Sequence, residues 1–192
     1  INDIRRMKNV QVLLTDIDLS SENYDRYLLR YGRDSDVVKE SISKVGLINA
    51  VILKKSLDVS GAYTVICGYQ RIRVCRQLGW EHIDAKVING LKDEKILLLA
   101  LHDNLFSREF NEIEKAIVLR KFLDKGYSYD RVMAEITPLL EIPPNKNIID
   151  KYLAILRLDS EIKQSVARSE LELEKVFLLI TLDDAERDAV YR

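Results

Sequence analysis

The chain has 192 residues, 47% of them hydrophobic and 32% charged, with a formal net charge of −1. That length supports one medium domain or two small ones with a core that needs no disulfides. No apolar run approaches the ~18 residues that span a membrane, so no membrane partner is expected. A charge near zero excludes a protein that coats nucleic acid through its overall field, and phosphates would have to be met by a local patch. Residues 1–90 carry 14 Lys and Arg against 11 Asp and Glu, and residues 91–192 carry 16 against 20. The chain starts at Ile1 with no basic-then-apolar leader, so a trimmed N-terminus is expected, and a cytoplasmic location is the default expectation.

In chain order, VQVLLTDID reads as a strand. DSDVVKESISKVG reads as a helix with Asp34, Ser35 or Asp36 as N-cap and Gly46 as its stop. AVILKK and YTVIC are two β-rich runs joined by SLDVSGA, a hairpin turn. CGYQRIRVCRQLG then forms a helix stopped by Gly79, and IDAKVI adds a strand. These elements predict a small mixed α/β domain over residues 1–90.

From residue 91 the β signal disappears, which predicts a helical domain over 91–192. KDEKILLLALHDNLF is one helix, and NEIEKAIVLRKFLDKG is a second, with Asn111 and Glu114 at capping-box spacing. SYDRVMAEITPLLEI starts at the N-cap Ser128 and breaks near Pro138 and Pro143-Pro144. NKNIIDKYLAILRL, SEIKQSVARSE and LEKVFLLITL follow as helices. The fold class is therefore α+β. Two cysteines eight residues apart, with both histidines far away, exclude a four-ligand zinc site and read as small buried hydrophobes.

The helix after YTVIC carries an anomaly. At about 100° per residue, Ile72, Val74, Cys75 and Leu78 gather on one side and Arg71 points into the same arc, while Arg73 and Arg76 point away. A strand that enters a helix through Gly68 leaves backbone N–H groups unpaired beside the positive end of the helix dipole. A guanidinium in that first turn suits a phosphate or a carboxylate. The residues alone leave two readings open: Arg71 grips an anion, or it pairs with a carboxylate of its own chain and braces the fold. The junction HDNLFSREFNEIEKA offers Asp103 and Asn104 as oxygen ligands with Arg108 as a cation, a set suited to a magnesium-phosphate group or to an ordinary helix turn.

Taken together, GLINAVIL, CGYQRIRV and DNLFSREFNEIEKA resemble motifs of the ParB family of partition proteins, within the ParB/sulfiredoxin superfamily, along nearly the whole chain. The resemblance implies a ParB/sulfiredoxin-like domain that binds CTP with Mg as a conformational switch, followed by an all-α helix-turn-helix domain that reads DNA. It carries Gly68, Arg71 and Arg73 onto the phosphate turn, with Tyr69 and Gln70 inside it. Asn104 and Arg108 fall in the second phosphate-binding segment, Asp103 at a magnesium contact, and Gly46 and Asn49 on the cytosine side. Tyr69 and Gln70 replace an acidic and a basic residue, and Asn49-Ala50 replaces Gln-Pro. Loss of the acid at position 69 leaves at most weak CTP hydrolysis or a ParB-like nuclease activity, with no catalytic residue assigned. The family also implies a nucleoid or plasmid association, a ParA-like ATPase partner, a homodimer, and a dimerisation region beyond the last of these helices.

A helix-turn-helix-like segment is expected at about 128–158, although TPLLEIPPN is longer than a tight turn. On its second helix Asn145, Lys146, Asn147 and Lys151 offer amides to base edges and ammonium groups to phosphates, or form a solvated face. Two other functions fit the same chain. One is a ParB-like nuclease or superfamily phosphotransferase resting on Asp103. The other is a degenerate interaction scaffold that binds no nucleotide, motivated by the residues at 49, 69 and 70.

Overall fold

The structure is a computed structural model that describes residues 8–20, 26–32, 36–56 and 62–191. The chain separates into two compact units, residues 1–28 with 33–106 and residues 29–32 with 107–192. The first unit is mixed α/β and the second is helical. The division falls after Phe106 and not at residue 90, so the helix that follows the last strand belongs to the first unit.

The first unit contains β1 (Val10–Leu13), a 3-10 turn (Leu14–Asp16), β2 (Ile17–Asp18), α1 (Asp36–Val45), β3 (Val51–Lys55), β4 (Tyr63–Cys67), α2 (Tyr69–Gln77), β5 (His82–Ile88) and α3 (Asp93–Ser107). The N-cap candidates Asp34 and Ser35, and residues 57–61 of the expected hairpin turn, lie outside the described residues. The sheet runs in the order β1-β5-β3-β4-β2. Pairing is antiparallel between β1 and β5 and between β3 and β4, and parallel between β3 and β5 and between β2 and β4.

The run VQVLLTDID, read as one strand, is two strands on opposite edges of this sheet. From Leu13 to Ile17 the chain can reach at most about 14 Å, whereas four strand spacings in a flat sheet measure about 19 Å. The sheet must therefore curl until its edges approach. Arg76 holds the crossing in place, donating from Nη2 to the carbonyls of Leu14 and Ile17 at 2.6 Å each. Inside the curl lies a core of Val12, Leu14, Ile17, Val51, Leu53, Val65, Ile83 and Ala85, covered by Ile42 of α1 and by Ile72, Val74 and Cys75 of α2. Residues on the other face of the central strands, Ile52 and Ile66, are buried as well. The N-terminal end of α3 is tied to β3 by Lys54, 3.0 Å from Asp93 Oδ1, the same oxygen that accepts from the Tyr27 hydroxyl at 2.7 Å.

The second unit contains α4 (Glu112–Asp124), α5 (Tyr129–Glu135), a 3-10 turn (Thr137–Leu140), α6 (Lys146–Ile155), α7 (Ser160–Ala167), α8 (Leu173–Leu179) and α9 (Asp184–Tyr191). Its core gathers Ile113, Ala116, Leu119 and Phe122 of α4 with Val132, Ile149, Ile155 and Val176, all fully buried. Asn111 and Glu114 form the expected capping box at the start of α4. The same Glu114 is buried and takes the backbone N–H of Tyr31, while Arg108 pairs with it and donates to the carbonyl of Leu29. Residues 29–32 are thereby fixed into the helical unit.

Candidate functional site

The site is built where β4 ends. Cys67 completes the strand, Gly68 turns the chain with φ +97°, and α2 begins at Tyr69. Having no side chain, Gly68 caps none of the first-turn N–H groups of α2, which stay at the positive end of the dipole. A Cβ on Gly68 would stand 2.6 Å from Val51 Cγ1 and 2.9 Å from Arg71 Nη2. The Arg71 guanidinium therefore packs directly over the glycine backbone, one turn into the helix.

Arg71 does not stay on the apolar arc that its position suggests. Its Nη1 donates to the carbonyls of Asn49 at 2.8 Å and Ala50 at 3.2 Å, at the entry to β3. Its Nη2 lies 4.0 Å from Asp103 Oδ2 on α3, beyond hydrogen-bond length but within reach of the charge. Burial pushes the Cys67 thiol well up, the negative charge of Asp103 adds to that shift, and Arg71 opposes it. The thiol thus stays protonated beside the Asp103 carboxylate. Cys67, Gly68, Arg71, Asp103 and the Asn49 backbone form one cluster.

The other expected residues fall around this cluster in different ways. Tyr69 is half-buried against the core, and Gln70 has a buried Oε1 with no hydrogen-bond partner. Asn104 turns its amide back to the carbonyl of Ala100 in its own helix at 2.8 Å. Gly46, with φ +77°, closes α1 by donating to the Ile42 carbonyl. Arg73 is exposed. Arg108 belongs to the helical unit, where it is engaged by Glu114 and stacked over the Phe110 ring at 4.9 Å. The sequence reading gave no role to the carbonyls of Asn49 and Ala50 or to Arg76, because such contacts join segments many residues apart.

Among the described residues no group of three or more His, Cys, Asp or Glu side chains is set to hold a metal ion. A magnesium ion at Asp103 would need phosphate oxygens and water to complete its shell, as such ions do in nucleotide sites. The orphaned Gln70 Oε1 in the first turn of α2 fits a ligand that brings a donor, such as a sugar hydroxyl or a base amino group. The residues present thus fit a nucleotide with its cation.

In the helical unit, Asn145 caps α6 by accepting from the N–H of Asn147 at 2.8 Å. Lys146 lies over the Tyr129 ring at 5.0 Å and Lys151 over the Phe177 ring at 5.1 Å. The Tyr129 hydroxyl donates to Asp150 at 2.6 Å. Asn145, Lys146, Asn147 and Lys151 are all exposed along one helix.

Fold and site together define a class: a curled mixed sheet whose strand-glycine-helix turn carries an arginine packed over the glycine, followed in the chain by a helical unit. The family model of the ParB N-terminal domain matches residues 7–105, and the chain belongs to that family. It is 25% identical over 166 residues to the nucleoid occlusion protein of Oceanobacillus iheyensis, a match covering 85% of this chain and 56% of that protein. It is also 25% identical over 161 residues to a protein of Coxiella burnetii named as a probable chromosome-partitioning protein ParB, covering 82% and 52%. The chain spans about half the length of these curated relatives. Among solved structures, the C2221 form of a Pnob8-like ParB-N domain superposes with a TM-score of 0.62 at 14% identity, covering 95% of this chain and 88% of that one. The C-terminally truncated ParB of Caulobacter crescentus, complexed to the centromeric parS site, superposes with a TM-score of 0.52 at 16% identity, covering 91% and 86%. These likenesses establish the fold.

Proposed function

We propose that the first unit binds a nucleoside triphosphate with magnesium, CTP being the expected one, and that the helical unit reads a DNA site, in a ParB-type partition or segregation role. The observation that carries this reading is Arg71, packed over Gly68 at the open end of α2 with one edge of its fork fixed by two carbonyls. A donor set fixed before the ligand arrives loses little freedom on binding. Phosphates would lie against the N–H groups of Tyr69, Gln70 and Arg71. Asp103 would hold the cation that neutralises them.

Such a ligand acts as a switch through differential contact. The glycine turn at the end of β4 and the Asp103-Asn104 segment of α3 are separate elements of one unit, and a polyphosphate with its cation touches both. The DNA assignment is supported by the exposed amides and ammonium groups of α6 and by family membership, one of whose relatives was solved on parS. A ParA-like ATPase, a second copy of the chain and a nucleoid or plasmid location belong to the same reading.

A thermal-shift panel of CTP, ATP, GTP and UTP with magnesium tests it. A ligand at ~100 times its dissociation constant stabilises by about 2.7 kcal/mol, which raises the melting temperature by several degrees. A shift with CTP is expected. No shift with any of the four contradicts the nucleotide reading and favours the interaction scaffold, which one observation supports: the acceptors around Arg71 come from its own chain.

A further inference from the structure

The exposed side of α6 carries a carboxylate held in place by a neutral partner. At about 100° per residue, Asn147 and Asp150 point away from the buried Ile149, Tyr152 and Ile155, and Lys146 stands one turn before Asp150 on the same side. Lys146 has the spacing to neutralise Asp150, yet it lies over the Tyr129 ring at 5.0 Å. Lys151 lies over the Phe177 ring at 5.1 Å. Asp150 Oδ1 accepts from the Tyr129 hydroxyl of α5 at 2.6 Å, which leaves Oδ2 for a donor from outside the chain. One tyrosine thus sets two charges of α6, Lys146 with its ring and Asp150 with its hydroxyl.

A carboxylate on a helix laid against DNA is repelled by the phosphates whatever the sequence. That cost is offset only where a base edge donates a hydrogen bond. In the major groove the donors are cytosine N4 and adenine N6, and the adenine edge adds an acceptor at N7 that an amide matches and a carboxylate does not. Guanine and thymine present acceptors and are rejected. We infer that Asp150, positioned by the Tyr129 hydroxyl, is the residue through which α6 selects a cytosine. The inference rests on reading α6 as a DNA-facing helix. A carboxylate that only tied α6 to α5 would behave differently, because its loss would weaken binding to every sequence alike.

The test is selection by the full chain from duplexes with a randomised central stretch, followed by titration of the selected duplex, its single-pair substitutions and a scrambled duplex. Asp150→Ala removes the carboxylate, Asp150→Asn keeps its shape and its bond to Tyr129, and Tyr129→Phe keeps the ring beneath Lys146 without the hydroxyl. Circular dichroism reports whether each is folded. The parent is expected to prefer a C·G pair at one position on the order of tenfold. Asp150→Ala should lose that preference alone and bind the scrambled duplex more tightly, Asp150→Asn should shift it toward adenine, and Tyr129→Phe should lower it without moving the others. An unchanged preference in folded Asp150 variants, an equal loss across all sequences, or a loss at a pair without cytosine overturns the inference while the DNA-facing role of α6 stands. Enrichment of no sequence by the parent overturns that role and the inference with it.

Discussion

At Gly68 the backbone and the surroundings call for the same residue, since φ is +97° and any Cβ would collide with Val51 and with Arg71. Gly68→Ala is expected to cost about 2–4 kcal/mol, from the left-handed backbone and the displaced neighbours together, and urea denaturation measures it. A loss under 1 kcal/mol would show that the turn can relax. Buried Glu114 is a different case, because Arg108, the Tyr31 N–H and the Asn111 N–H all depend on one carboxylate. Glu114→Gln leaves the Arg108 charge without its partner and is expected to destabilise the helical unit by about 3 kcal/mol. Arg71 was visible in the sequence as a charge on an apolar arc. Its acceptors were not, because Asn49 and Ala50 lie just ahead of β3, in a segment brought beside the helix only by the fold. Arg108 was assigned to phosphate because helical spacing does not show that a capping glutamate six residues later would be buried beneath it.

Helix ends were the most legible elements. Asn111 and Glu114 form the reciprocal cap that their spacing predicts, and Asn111→Ala should cost about 1 kcal/mol in the same denaturation assay. The same signature stands at Asp183 and Glu186, which exchange backbone hydrogen bonds ahead of α9, a helix that the apolar pattern alone did not mark. Periodicity failed in VQVLLTDID, where a continuous apolar run conceals a 3-10 turn between two sheet edges, and the Arg76 guanidinium that fixes it is some sixty residues away. The break expected near Pro138 is present: α5 ends at Glu135 and the chain tightens into a 3-10 turn over Thr137–Leu140, because Pro138 has no N–H to continue the helical ladder and its ring crowds the preceding turn. On α6, Lys151→Ala should weaken DNA binding similarly for all sequences and lower the slope of log K against log salt by about 1. An unchanged salt slope in a filter-binding series would remove Lys151 from the phosphate contacts.

Across the whole molecule, buried acids of the neutral type set the response to alkali. Burial raises the Cys67 thiol above its ordinary value of 9.0, and burial with an acceptor carboxylate raises Tyr27 and Tyr152 above 10.0. Above those ordinary values the unfolded chain releases protons that the folded chain keeps, so stability is level to about pH 8 and falls as pH rises further, by at most about 1.4 kcal/mol per unit for each group. Urea midpoints at pH 8 and about pH 10.5 check this, and Cys67→Ala should flatten part of the fall. A midpoint that rises with pH would contradict it.

The division of the chain into a mixed unit and a helical unit was legible from the disappearance of β-branched runs. Its placement was not, because ILLLALH reads equally well as a helix of either half, and it is Lys54 of β3 that ties Asp93, at the start of this helix, to the sheet. The claim on which the functional account depends is that the Arg71 guanidinium over Gly68 binds a nucleotide. Calorimetric titration of the full chain with CTP and magnesium, parent beside Arg71→Ala, tests it most directly. The account predicts saturable heat for the parent and none for a variant that still melts cooperatively. Equal heats for the two proteins would contradict it.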